Sequence, residues 1–104
     1  MKIVGITACI AGIAHTYMAA ANLKKFAKKE NCEIKIETQG AMGIENELTQ
    51  AEIDEADVVI FAVDTTVQNE ERFARKKILE VGTSKVVKDG KTTIEDAIKL
   101  AKGE

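Results

Sequence analysis

Along the chain, continuous apolar runs alternate with stretches where apolar side chains recur every three or four positions. Lys2–Ala8 has almost no polar alternation, the pattern of a central parallel strand buried on both faces. Thr16–Lys29 places Ala19, Leu23, Phe26 and Ala27 at helical spacing, which makes one apolar stripe. Glu33–Thr38 alternates Ile34 and Ile36 with charged residues and predicts a strand nearer a sheet edge. Gln39–Glu47 holds Gly40 and Gly43 and reads as a loop. Thr49–Glu55 predicts a short helix, with Thr49 as N-cap and Glu52 as its capping-box partner. Val58–Val63 is a second continuous apolar run and a second buried strand. Asn69–Lys76 predicts a short helix and Ile78–Val81 a weak fourth strand. Thr93–Lys102 closes the pattern as a helix with Ile94, Ala97, Ile98 and Ala101 on one side.

This order predicts an α/β fold: a four-stranded parallel sheet with helices on both faces and right-handed crossovers, a Rossmann-like three-layer sandwich. A length of 104 residues fits one domain spanning 1–104, with no internal repeat or linker. Aromatic residues make up 4% of the chain, so Ala, Val, Ile and Leu must build the core. In such a sheet, ligands bind at the carboxyl ends of the strands beside a topological switch point. That rule selects three loops: Ala8–Thr16, Thr38–Glu47 and Asp64–Asn69.

Charge and composition then remove several functions. A net charge of −2 and few aromatic rings argue against a nucleic-acid binder, which needs a basic footprint and stacking platforms. One histidine and two cysteines do not make a four-ligand zinc site without carboxylates. Two widely spaced cysteines do not make a secreted disulfide scaffold either. The apolar stretch after Lys2 is too short for a signal-peptide core and is better used as the first strand. Val58–Val63 is too short to span a bilayer. The chain is therefore expected in the cytoplasm, with both thiols reduced and no direct membrane insertion.

The residues Cys9, Ile10, Ala11, Gly12, Ile13, Ala14, His15 and Thr16 join a buried strand to a helix. A turn of this kind leaves backbone N–H groups without intrahelical partners, and the helix dipole adds positive potential. Together they suit a phosphate. Gly12 lets the backbone approach the ligand. Cys9 stands at the lip of that site, where the same groups favour a nucleophilic thiolate. A buried, inert thiol is the alternative for any intracellular cysteine. Cys32, at the start of the second strand and without a glycine-bearing loop, fits that alternative. His15 has two readings of equal weight, starting the helix or lending positive charge to a bound phosphoryl group.

The spacing excludes a nucleotide-binding P-loop, which needs two glycines and a terminal Lys-Ser or Lys-Thr. A cysteine phosphatase loop is nearer, with Cys, five residues, then Arg and Ser or Thr. Here His15 stands where that arginine would clamp phosphoryl oxygens in a bidentate fork.

Cys9 through Thr16, followed by Met18-Ala19-Ala20, resembles the phosphorylation loop of fructose-type enzyme IIB domains of the bacterial phosphoenolpyruvate-dependent sugar phosphotransferase system. Those loops read Cys-Pro-Thr-Gly-Ile-Ala-His-Thr, then an aromatic and Met-Ala-Ala. The resemblance continues through Glu37-Thr38-Gln39-Gly40, Gly43-Ile44-Glu45-Asn46, Leu48-Thr49, Ala56-Asp57, Asp64 and Arg72-Phe73. It covers about positions 1 to 80. Where the family has Pro and Thr after the cysteine, this chain has Ile10 and Ala11.

The resemblance implies a four-stranded parallel sheet and a phosphoryl relay without cofactor or metal. Cys9 would accept phosphate from a phosphohistidine of enzyme IIA. It would pass that phosphate to a sugar, fructose or a relative, held by membrane-embedded enzyme IIC. The domain would then work at the inner face of the membrane through enzyme IIC. Phosphoryl transfer through a loose transition state needs mainly positioning and N–H donors, which such a loop supplies. Two alternatives stay open: a low-molecular-weight cysteine phosphatase, and a regulatory domain of the same fold that has lost turnover.

Three further residues are candidates. Thr38 and Gln39 are expected to steady the phosphorylation loop by hydrogen bonds. Asp64, at the end of the third strand, is expected to cap the Thr66 or Val67 N–H, or to serve as the general acid a phosphatase would need. Arg72, Arg75, Lys76 and Lys77 read as a solvated basic face, or as a patch meeting an acidic partner.

Overall fold

The computed structural model describes residues 1–9, 13–40 and 43–103. Its order is β1 (Lys2–Ala8), α1 (Ile13–Lys29), β2 (Glu33–Gly40), β3 (Gly43–Glu45), α2 (Gln50–Glu55) and β4 (Val58–Val63). A 3-10 turn (Glu70–Phe73), β5 (Ile78–Val81), α3 (Thr83–Lys88) and α4 (Gly90–Ala101) follow.

The four expected strands form one sheet and pair in parallel. β1 lies between β2 and β4, and β5 pairs with β4. A fifth strand departs from the expected loop at 39–47: β2 runs on to Gly40, and β3 pairs antiparallel with it at the sheet edge. The sheet order is β3-β2-β1-β4-β5. The chain leaves β1 for β2 on one side and reaches β4 on the other, so the switch point falls at the carboxyl end of β1.

Alternating side chains of β1 and β4 feed two cores, one on each face. Ile3, Ile36, Val58, Ile60 and Ala62 pack against Ala19, Leu23 and Ala27 of α1, Val86 of α3, and Ile94 and Ala97 of α4. Val4, Ile6, Ala8, Val59 and Phe61 pack against Leu48, Ile53, Ala56, Val67 and Phe73. These are the three layers that the apolar pattern predicts. Phe61 and Phe73 add an edge-to-face pair, centroids 5.1 Å apart, to a core otherwise built from small aliphatic side chains.

The helix ends follow local chemistry. The capping box forms as the sequence predicts: Thr49 Oγ1 accepts from the Glu52 N–H at 3.1 Å, and Glu52 Oε1 accepts from the Thr49 N–H at 2.8 Å. α1 starts at Ile13, earlier than the expected Thr16, and ends in a left-handed turn at Asn31, φ 57°. There the Cys32 N–H donates to Ala27 O at 2.9 Å and the Asn31 N–H to Lys28 O at 3.1 Å, the paired bonds of a Schellman cap. Cys32 is half-buried against the α1-side core, the packing role expected of it.

The expected helix at 69–76 is only the single 3-10 turn. α3 is an element the apolar pattern does not show. Its N-cap, Gly82, makes no side-chain cap bond. Distant residues hold both of its ends: Asp64 accepts from the Thr83 N–H, and Asn22 Nδ2 donates to Val86 O and Val87 O.

Candidate functional site

All three loops selected by the switch-point rule meet at one place. A recess of about 270 Å³ at the carboxyl end of the sheet is lined by Ala8, Cys9, Gln39, Gly40, Thr65, Thr66 and Gln68. Cys9 follows the last residue of β1 and is half-buried. Thr65 and Thr66 also wall a neighbouring recess of about 490 Å³ that contains Asp64, Glu70 and Glu80.

Of the expected phosphate-binding residues, Ile10, Ala11 and Gly12 lie outside the described residues. Ile13, Ala14, His15 and Thr16 belong to the first turn of α1. Ala14 and His15 are exposed, whereas Thr16 is buried. The Thr16 hydroxyl faces Gly40: a Cβ placed on that glycine would stand 4.0 Å from Thr16 Oγ1 and 4.0 Å from Cys9 O. The end of β2 thus runs close under the start of α1 and beside the candidate nucleophile.

Among the described residues, Thr38 and Gln39 make no side-chain hydrogen bond to Cys9 or to residues 13–16. Thr38 is buried on the α1 side, and its hydroxyl has no hydrogen-bond partner among the described residues. Gln39 points to the other face, because successive strand residues alternate. Its Oε1 accepts from the Gln68 N–H at 2.8 Å, and its Nε2 donates to Gln68 O at 3.1 Å. Gln39 therefore steadies the Thr65–Gln68 wall of the recess.

Behind Gln39 lies a buried ion pair that the sequence reading missed. Arg72 grips Glu37 with two prongs, Nη1 to Oε1 at 2.9 Å and Nη2 to Oε2 at 3.0 Å. The Glu37 side chain is wholly buried and the Arg72 side chain is 14% exposed. Glu37 also accepts from Gln39 Nε2 at 2.7 Å and from the Leu48 N–H at 2.8 Å. Burial pushes the Glu37 carboxyl up; the bonds from Arg72, Gln39 and Leu48 outweigh it and leave it below the usual carboxylate range. Arg72 donates further to Asn69 O, Leu48 O and Gln68 O. Glu37, Gln39 and Arg72 together clamp the segment that carries the third wall.

The expected basic face is accordingly broken up. Lys76 Nζ donates to Asp54 O and to Ala56 O, satisfying carbonyls at the end of α2. Lys77 Nζ reaches Ala101 O at 3.4 Å. No sequence signal singled out Glu37, because it alternates along β2 with Glu33 and Lys35 as a third charged residue and differs from them only in being buried.

Asp64 does not cap Thr66 or Val67. The parallel sheet brings it instead to the start of α3, where its carboxylate accepts from the Thr83 N–H at 3.1 Å and from the Thr83 hydroxyl. The Thr83 bonds lower the Asp64 carboxyl below its usual range, burial opposes them, and the Cys9 thiol and His15 add smaller lowering effects. A carboxylate held ionised in this way is a poor general acid. Among the described residues, no cluster of His, Cys, Asp or Glu side chains is arranged to hold a metal ion.

Comparison with known proteins agrees with this geometry. The family model described as "PTS system, Lactose/Cellobiose specific IIB subunit" matches residues 4–96. The chain is 51% identical over 87 residues to the PTS system fructose-like EIIB component 2 of Escherichia coli, covering 84% of this chain and 82% of that one. It is 44% identical over 97 residues to the PTS system fructose-specific EIIB'BC component of Xanthomonas campestris, covering 93% of this chain but 17% of the larger protein. A crystal structure of a domain from the fructose-specific IIABC component of Borrelia burgdorferi superposes with a TM-score of 0.89 at 45% identity, covering 94% and 93% of the two chains.

Proposed function

The chain belongs to the enzyme IIB family of the sugar phosphotransferase system, and on that footing we propose that Cys9 is the residue that carries the phosphoryl group. Enzyme IIB components are phosphotransferases, so the open matters are the nucleophile, the partners and the sugar. The observation that carries the reading is the recess in which Cys9, the end of β2 and the Thr65–Gln68 segment converge at the switch point.

In the loading step, the Cys9 sulfur attacks phosphorus on a phosphohistidine of enzyme IIA. The S–P bond forms as the N–P bond breaks, and the thiol proton ends on the released imidazole nitrogen. In the unloading step, a hydroxyl of the sugar held by enzyme IIC attacks phosphorus; the O–P bond forms as the S–P bond breaks, and the hydroxyl proton returns to the sulfur. The start of α1, residues 13–16, offers its backbone N–H donors to the anion. Relatives that join IIB to C, or to A and C, in one chain support these two partners. Fructose or a related sugar is the substrate class this reading takes, since a relative named fructose-like EIIB component 2 is 51% identical to this chain and one named fructose-specific is 44% identical. Residues 1–104 act as one IIB unit. No helix among the described residues is long and apolar enough to cross a membrane, and the unit meets the membrane through enzyme IIC.

The phosphatase alternative loses support from two residues. Arg72 is committed to Glu37, and Asp64 is held ionised by Thr83. Incubation with phosphorylated fructose-type enzyme IIA, followed by intact mass, tests the proposal. Wild type and Cys32→Ala should each gain one phosphate, and Cys9→Ser none. A wild type that stays unlabelled beside a competent donor would overturn the carrier reading and favour a regulatory domain.

A further inference from the structure

Cys9 and Asp64 leave the sheet side by side. Ala8 and Val63 are register partners in the parallel β1–β4 pair, and Cys9 and Asp64 are the residues that follow them. The Asp64 N–H closes the corner by donating to Ala8 O at 2.9 Å. The carboxylate above it is anchored, because the Thr83 N–H and hydroxyl both donate to it. Thr83 is itself wholly buried, and α3 is tied to α1 through Asn22. An anchored carboxylate next to a nucleophile serves poorly as a proton donor, yet it is well placed to act by charge alone.

We propose that the fixed negative charge of Asp64 raises the free energy of a phosphoryl group on Cys9, so that the site hands the group on instead of storing it. This inference rests on Cys9 being the phosphoryl acceptor. Loading puts a phosphoryl group carrying up to two negative charges directly beside an existing one. Like charges at such separations repel, and the repulsion is present only while the S–P bond exists. Asp64 therefore disfavours the loaded state, and the smaller interaction of its carboxylate with the Cys9 thiol acts in the same direction by favouring the unloaded one. His15, on the exposed first turn of α1, contributes to the same local field with the opposite sign when protonated.

The readout is the equilibrium ratio of phosphorylated Cys9 to phosphorylated donor, measured by intact mass with fructose-type enzyme IIA. Asp64→Asn keeps an acceptor for Thr83 and removes the charge. It should shift the ratio toward Cys9 by roughly three- to tenfold, and the shift should shrink as salt approaches about 1 M. Asp64→Glu, which restores the charge, should stay near wild type. An unchanged ratio in Asp64→Asn, with forward and reverse rates falling together, would show a purely structural residue and overturn the proposal. Should Asp64→Asn not fold, Asp64→Ser removes the same charge and is read in the same way. Labelling of wild type separates the two levels: an unlabelled wild type removes the Cys9 assignment and this inference with it, whereas a labelled wild type with an unmoved ratio removes this inference alone.

Discussion

Arg72 and Glu37 meet as a two-pronged ion pair behind the recess, with the carboxylate side chain wholly buried and the guanidinium nearly so. The Arg72 guanidinium also lies over the Phe73 ring, 5.1 Å from its centroid, and Phe73 packs edge-on against Phe61 of β4. The pair thus joins β2, the segment after β4 and the α2-side core. Removing one partner of a buried pair strands the other charge, which costs about 3–5 kcal/mol. Arg72→Met is expected to lose stability on that scale, with a Tm lower by at least ~10 °C.

The same pair gives a pH dependence whose sign reverses in the variant. In wild type the folded Glu37 pKa lies below the ordinary 4.5, so its contribution is fully present above that value and is lost as pH falls through the folded pKa. In Arg72→Met burial is far less opposed and raises the Glu37 pKa, so stability drains away as pH rises from about 4.5 toward neutrality. Urea unfolding at pH 5 and pH 7 separates the cases. Parallel curves for the two proteins would contradict the assignment of Glu37 as the buried partner.

Gln39 gives a narrower expectation. Gln39→Leu keeps the bulk and removes both bonds to Gln68 as well as the one to Glu37. Leaving buried groups without partners costs about 1–3 kcal/mol. The Gln68 amide should exchange hydrogen at least ~10-fold faster in the variant, and Cys9 loading should slow at temperatures where the protein stays folded. Unchanged Gln68 exchange would show that Arg72 alone holds the wall.

The residues show why some of this was legible in the chain and some was not. β1 and β4 are buried on both faces and announce themselves as unbroken apolar runs. The capping box at Thr49 and Glu52 is local, as is the stripe on α1. The place of Cys9 at the recess was legible because strand end, glycine and helix start lie together in sequence. Glu37 was hidden because a buried carboxylate makes sense only with its cation, and Arg72 is 35 positions away. α3 was hidden for the same reason, since its ends are held by Asp64 and Asn22. β3 is three residues long and starts at a Gly43 with φ +89°. Its pairing with β2, and a hydrogen bond from Tyr17 to Glu45, define it.

Gly5 is required by packing at the centre of the sheet. A Cβ there would stand 2.7 Å from Ile36 Cδ1 and 3.3 Å from Ile60 O. Ile36 is buried and has little room to turn away, and a strand carbonyl cannot move without disturbing the ladder. Gly5→Ala is therefore expected to cost about 1–3 kcal/mol through overpacking, whatever it gains in β propensity. Chemical denaturation at pH 7 measures this, and a neutral or stabilising effect would show that the two strands yield more easily than their spacing indicates.

Glu52 supplies a pH effect at the surface, far from the recess. The Lys35 ammonium, bonded at 2.8 and 2.9 Å, and next the Thr49 N–H hold its carboxyl at about 2. A folded pKa depressed below the ordinary 4.5 means that the contribution is present above 4.5 and disappears as pH falls from there through about 2. Glu52→Gln keeps an oxygen for the Thr49 N–H but has no charge for Lys35. The Tm of wild type should exceed that of Glu52→Gln at pH 6, and the gap should close as the pH approaches 2. About 1 M salt should narrow the gap at pH 6, because both partners are partly open to solvent. A gap that stays constant from pH 6 to pH 2 would mean that Glu52 acts through the shape of the cap and not through its charge.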